Sequence, residues 1–175
     1  MSGQPRTLTV IIGIDPGSRV TGYGVVRSAP GRTEYLTCGC IRLDTDGSFD
    51  ERLVQLYDAL SAVIAEHRPS EAAIEKVFMN RNADSPLKLG HARGVAMVAA
   101  RRAGVSVSEY SATQIKQSVV GRGHAEKVQV QHMVKFLLGL SAEPSADAAD
   151  ALAAALCHGA MRDGRARLAR AGVRP

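Results

Sequence analysis

Tryptophan is absent from this sequence, and three Phe and four Tyr bring the aromatic share to only 4% of 175 residues. A core must therefore rest on Val, Leu, Ile and Ala. Cysteine is scarce as well, with Cys38, Cys40 and Cys157 alone. An odd count with no secretion signal points to reduced thiols. Cys38 and Cys40 resemble half of a zinc site, but a structural site needs four ligands and no second pair exists. No run of about 18 apolar residues occurs, so no transmembrane helix is expected. Residues 1–9 carry no apolar segment of the signal-peptide kind, and the expected location is the cytoplasm.

What is present reads as an ordinary globular mix, 45% apolar and 22% charged. The length suits one domain with a substantial core. The net charge is +5, and its distribution is uneven: residues 162–175 hold five Arg and one Asp. We read residues 1–161 as the domain and 162–175 as a basic, flexible tail. Such a tail suits nucleic acid or an acidic surface, and equally a solubilising extension.

Residues 8–14 form a β-branched run that predicts a buried strand, and 15–18 (DPGS) a turn. Residues 21–27 predict a second strand, in which Gly22 and Gly24 permit close approach of other backbone. Residues 33–43 predict a third, completing an antiparallel meander. Ser48 and Glu51 form a capping box for a helix through Leu53, Leu56, Leu60 and Ile64 that stops before Pro69. Residues 72–77 predict a short strand and 79–84 a polar loop. A helix opening at Ser85, with Pro86 in its first position, ends at Gly104. A fifth strand spans 105–109. Helices follow from Ser111, over 125–138, and from Ser145 to about Met161. The alternation in the second half implies parallel crossovers. The fold class is α/β, a mixed five-stranded sheet covered by helices.

Four acids stand where acids are rare. Asp15 ends the most apolar strand, Glu75 lies inside another, and Asp147 and Asp150 share one face of an Ala-rich helix. A hard divalent ion such as Mg²⁺, held by carboxylates, water and phosphate, accounts for the set. Two ions about 3.5–4 Å apart would clamp the attacking and leaving oxygens of a phosphodiester. Each acid also has an ordinary role open to it: a turn acid at Asp15, an ion pair at Glu75, a first-turn acid at Asp147. The helix after Pro86 carries Gly90, Ala92, Gly94 and Ala96, small residues that suit either a contact between two copies or tight packing on the chain's own sheet.

Segments in fixed order resemble the RuvC family of crossover junction endodeoxyribonucleases. They are IGIDPGSRVTGYGV at 12–25, IEKVF at 74–78, NADS at 82–85, KLG at 88–90 and RGV at 93–95. KQSVVG at 116–121, AEK at 125–127, VQHM at 130–133 and DAADAL at 147–152 continue the match. The resemblance covers about residues 8–160. It implies a ribonuclease-H-like fold and a homodimer that resolves four-way (Holliday) DNA junctions by paired symmetric nicks in recombination and repair. It implies Asp15, Glu75, Asp147 and Asp150 as catalytic ligands of Mg²⁺ or Mn²⁺, two ions per site, and a branch-migration motor as partner. The nicks would leave 5′ phosphate and 3′ hydroxyl ends.

Lys116 and Lys127 match family lysines near the scissile phosphate, where a cation offsets developing charge. Phe78 enters the polar loop and could stack on an unpaired base. Arg81 in that loop and Arg122 between two glycines are candidate phosphate contacts. His124 and His132 could assist a metal-bound water, though lone histidines are more often structural. Three rivals stay open on the residues alone. One is an ATP-using protein of the actin and sugar-kinase type, for which residues 13–17 offer a phosphate turn. The others are a junction-binding module without cleavage and a nuclease for another substrate such as an RNA–DNA hybrid.

Overall fold

A computed structural model of the chain describes residues 8–76 and 84–172. Five strands appear: β1 (Thr9–Asp15), β2 (Val20–Ala29), β3 (Arg32–Arg42), β4 (Glu71–Glu75) and β5 (Ser106–Tyr110). Five helices accompany them: α1 (Phe49–His67), α2 (Asp84–Arg102), α3 (Ala112–Val120), α4 (Lys127–Leu138) and α5 (Ala146–Arg170). The sheet order is β3-β2-β1-β4-β5. β1, β2 and β3 pair antiparallel, as their short connections demand, while β1–β4 and β4–β5 are parallel across helical crossovers. This is the mixed, five-stranded, helix-covered sheet that the sequence predicts.

Strand alternation sorts the apolar residues onto two faces. Ile12, Ile14, Val25 and Ile74 pack with Leu60 and Ile64 of α1 and Ala96, Ala99 and Ala100 of α2. Ile11, Val26, Ala73 and Tyr110 pack on the opposite face with Ile115, Val130, Val134 and the α5 run from Leu152 to Ala155. An aromatic-poor core works here because alanine on α2 and α5 lets those helices lie close to the strands.

Glycine decides how close α5 comes. A Cβ on Gly13 would run into the carbonyl of Ala151, and one on Gly22 into the carbonyl of Asp147. A Cβ on Gly24 would meet Leu152. The close approach read from Gly22 and Gly24 is therefore the seating of α5 on β1 and β2.

The caps read at Ser48 and Ser111 hold, whereas Ser145, at the N-cap of α5, makes no side-chain cap bond and its hydroxyl lies 3.1 Å from Cys40 Sγ instead. Ser48 Oγ accepts from Glu51 N at 3.4 Å, and the Glu51 carboxylate accepts from Ser48 N at 2.8 Å. Ser111 and Gln114 repeat the arrangement at α3. Such caps satisfy amides left open at a helix start and are each worth about 1 kcal/mol.

The strand ends differ from expectation by one or two residues, and three helix boundaries differ as well. α2 opens at Asp84, which puts Pro86 at its third position, where a missing N–H is still free of cost. α4 starts at Lys127 rather than at 125. α5 does not stop near Met161 but continues to Arg170. Arg162 Nε reaches Glu71 Oε1 at 3.2 Å, and Asp163 Oδ2 accepts from Gly31 N at 3.3 Å. These ties to β4 and to the β2–β3 turn hold a helical extension, residues 162–170, that composition alone reads as tail. The end of the strand read to residue 77, and the polar loop read over 79–84, lie almost wholly outside the described residues.

Candidate active site

β1 and β4 run parallel with Ile14 opposite Ile74, so Asp15 and Glu75 follow side by side at their carboxyl ends. Open α/β sheets present ligand sites at that edge. Ile14 and Ile74 face α1 and α2, so Asp15 and Glu75 turn toward α5. The first two turns of α5, seated over Gly22 and Gly13, bring Asp147 and Asp150 to the same edge.

A cleft of about 380 Å³ opens there, lined by Asp15, Glu75, Asp150, Lys116 and Lys127. Lys76, Leu89 and Ile115 help to wall it. Lys127 Nζ lies 3.4 Å from Asp150 Oδ2.

The electrostatics of the cleft follow from crowded, part-buried acids. Burial first, and then the charges of Asp150, Glu75 and Asp147, push the Asp15 carboxyl up to about 7. Burial and Asp150 raise Glu75, against the opposing pull of Lys127 and Lys116. Burial raises Asp150 too, with Lys127 opposing. Lys127 is itself raised, chiefly by Asp150.

Among the described residues no three carboxylate, imidazole or thiol side chains already stand close enough to chelate an ion. Lys127 Nζ is the positive group beside Asp150. The donor set nonetheless fits a hard divalent cation, which takes carboxylate oxygens and would neutralise the negative charge that raises Asp15.

The remaining residues singled out in the sequence fall elsewhere. Arg122 is exposed in the turn after α3 and does not line the cleft. Phe78 and Arg81 lie outside the described residues. His124 and His132 are exposed, and the His132 ring sits 3.8 Å from Glu143.

On α2, Ala92 and Ala96 are fully buried against the chain's own core, whereas Gly90 and Gly94 face open space. The small-residue pattern thus divides between both readings of it. Gly90 and Gly94, with Val54, Tyr57, Val95 and Val98, line an apolar groove of about 550 Å³ between α1 and α2.

Two networks went unread in the sequence. Arg93 donates from Nε to the Glu75 carbonyl at 3.3 Å and pairs with Glu109. The signal available was Glu109 itself, an acid at an inward position of a strand. On the α5 face, Tyr110 Oη lies 2.7 Å from His158 Nδ1, and His158 Nε2 lies 2.5 Å from Glu71 Oε2. Buried polar groups linked in this way fix the position of α5 along β4.

The family model described as "Crossover junction endodeoxyribonuclease RuvC" matches residues 11–158. A curated protein of that name from Aeromonas hydrophila is 64% identical over 151 residues, covering 86% of this chain and 87% of the relative. One from Marinobacter nauticus is 56% identical over 165 residues, 94% of each chain. Among solved structures, Thermus thermophilus RuvC in complex with a Holliday junction substrate superposes with a TM-score of 0.83 at 35% identity, covering 89% of this chain and 96% of that one. The yeast mitochondrial Holliday junction resolvase, at 11% identity and a TM-score of 0.59, shares the fold. No helix among the described residues is long and apolar enough to cross a membrane. With its ribonuclease-H-like sheet, its edge of crowded acids and a family match over most of its length, this chain belongs to the RuvC family of crossover junction endodeoxyribonucleases and is a DNA-cutting enzyme.

Proposed function

We propose that this chain resolves four-way DNA junctions as a homodimer, by paired nicks made at the cleft between β1, β4 and α5. The observation that carries the reading is the meeting of Asp15, Glu75 and Asp150 with Lys116 and Lys127 around one cleft. Membership of this nuclease family implies dependence on divalent metal. Asp15, Glu75, Asp147 and Asp150 would hold the cations, two Mg²⁺ or Mn²⁺ per site. Such ions would supply an activated water and charge stabilisation at the leaving oxygen.

The chain's own residues do the rest. The cleft orients the phosphodiester so that water attacks phosphorus in line with the 3′ oxygen. A P–O bond to water forms, the P–O3′ bond breaks, and 5′ phosphate and 3′ hydroxyl ends result. Lys116 and Lys127 offset the negative charge that grows on the phosphate oxygens. Lys127 also opposes the upward push that burial gives Asp150 and Glu75, which favours their ionised, cation-binding forms. Arg122, exposed beyond α3, would hold backbone phosphate. Phe78 and Arg81, between β4 and α2 in the chain, would contact the branch point.

The α1–α2 groove supports the dimer. Val54 and Val98 are 60% and 51% exposed at its rim, and a second copy of the same face would cover them. Two identical sites related by a two-fold axis suit a substrate of the same symmetry. The resemblance adds a branch-migration motor as partner.

Cleavage of a labelled four-way junction beside a linear duplex tests the reading. Paired symmetric nicks on the junction alone, abolished by EDTA and by Glu75→Gln, are expected. Tight junction binding without cutting under any metal would replace it with a binding module. Equal cutting of the linear duplex would leave a nuclease of different selectivity.

A further inference from the structure

Arg93 sits four residues after Leu89 on α2, one turn further along the wall that Leu89 contributes to the cleft. Its side chain is 23% exposed. It does not line the cleft itself. Instead its guanidinium turns under the carboxyl ends of β4 and β5 and spans two partners. Nε donates to the carbonyl oxygen of Glu75 at 3.3 Å, and Nη2 pairs with the carboxylate of Glu109.

Both partners are there for a topological reason. In β5, Val107 faces α2 and Tyr110 faces α5, so Glu109 shares the α2 side with Val107. In β4, Ile74 faces α2 and Glu75 turns the other way, toward Asp150. The Glu75 side chain is thus presented on one face of the sheet while its backbone is held from the other. The strand needs this hold. The β4–β5 ladder ends with Glu75 beside Tyr110 and Lys76 N donating to Tyr110 O at 2.7 Å, and β5 then turns into α3 at Ala112. No further residue of β5 follows to continue the ladder. An arginine is suited to the task because its planar fork reaches a carboxylate and a carbonyl at once, which a lysine ammonium does poorly.

We propose that Arg93 is a positioning residue: anchored by Glu109, it holds the end of β4 so that the Glu75 carboxylate meets the cleft in its working place. This rests on the reading that Glu75 serves the reaction. Arg93 touches neither substrate nor cleft in this account and acts through Glu75 alone. A small displacement of a reacting group can cost on the order of a hundredfold in rate, so the effect should appear in the chemical step.

The test uses the full-length chain and a four-way junction. Single-turnover cleavage of prebound junction, junction Kd, elution size and melting temperature are measured for the native chain, Arg93→Gln, Arg93→Lys, Glu109→Gln and Glu75→Gln. Arg93→Gln should cut 10- to 100-fold slower with Kd within about twofold of native and unchanged size. Arg93→Lys, which keeps the charge beside Glu109, should fold like the native chain and lose a smaller part of the rate. Glu109→Gln should fall between them. A native cleavage rate in either Arg93 variant, with Glu75→Gln inactive, would overturn the positioning role. So would a rate loss matched by an equal loss of junction binding or of size. Full activity in Glu75→Gln would remove the reading on which the proposal rests, whatever the Arg93 variants do.

Discussion

Lys127 Nζ stands 3.4 Å from Asp150 Oδ2, and this pair joins the start of α4 to the first turns of α5 across the cleft. It is the contact that balances the acids: Lys127 lowers the proton affinity of Asp150, Glu75 and Asp15, each of which burial raises. Replacing Lys127 with Met should therefore raise all three further. Carboxylates must be ionised to bind a cation, so the acid limb of the cleavage profile should move to higher pH and the plateau should fall roughly tenfold or more. A pH–rate series at fixed, limiting Mg²⁺ measures both.

Asp15 supplies a prediction about stability without metal. Its carboxyl titrates near 3.8 in an unfolded chain and near 7 in the folded one. Stability tied to protonated Asp15 is complete below pH 3.8 and is lost as pH rises through 7. At pH 8 in EDTA the native chain carries the whole penalty, with a ceiling of about 4 kcal/mol. Asp15→Asn should then melt on the order of 5 °C higher than native, and the gain should shrink at pH 5. Adding Mg²⁺ should raise the native melting point more than that of the variant. Thermal melts at the two pH values, with and without Mg²⁺, decide it.

Gly22→Ala tests the seating of α5. The new methyl group meets the backbone carbonyl of Asp147, which cannot swing aside as a side chain can. Overpacking of this kind costs about 1–3 kcal/mol, and α5 must move outward with Asp147 and Asp150 on it. Cleavage should slow at least tenfold in a chain that still folds. A denaturant melt alongside single-turnover cleavage separates the two effects, and an unchanged rate would show that the depth of α5 does not matter.

Val98→Asp places a charge in the α1–α2 groove, away from the cleft. If a second copy covers the groove, the variant should elute as a monomer at micromolar concentration with its melting point close to that of an isolated native fold. Paired nicking should give way to slow single nicks. Light scattering coupled to gel filtration reads the assembly directly, and an intact dimer would move the contact to another face.

The sequence by itself determined the local elements and the chemical oddities. Hydrophobic alternation, the capping box at Ser48 and the helix start at Ser111 are signals carried within a few residues, so they can be read along the chain. Asp15, Glu75, Asp147 and Asp150 were legible because ionisable groups in apolar stretches are costly and therefore conspicuous. Gly22 and Gly24 announced that some backbone comes close, and the helix that does so lies more than a hundred residues later.

Only the tertiary structure decided which acids meet which cations. Parallel register puts Asp15 beside Glu75, and α5 lies over both because three glycines leave room for it. Glu109 stood out as an acid at an inward strand position, but its pairing with Arg93, and that of His158 with Tyr110 and Glu71, depended on contacts far apart along the chain. Arginine and histidine on a helix look like solvated surface until a strand end is brought beneath them. The continuation of α5 to Arg170 has the same origin: its last turns are basic and polar by composition, and the ion pair with Glu71 and the hydrogen bond with Gly31 that hold its second half come from residues about ninety to one hundred and thirty positions away.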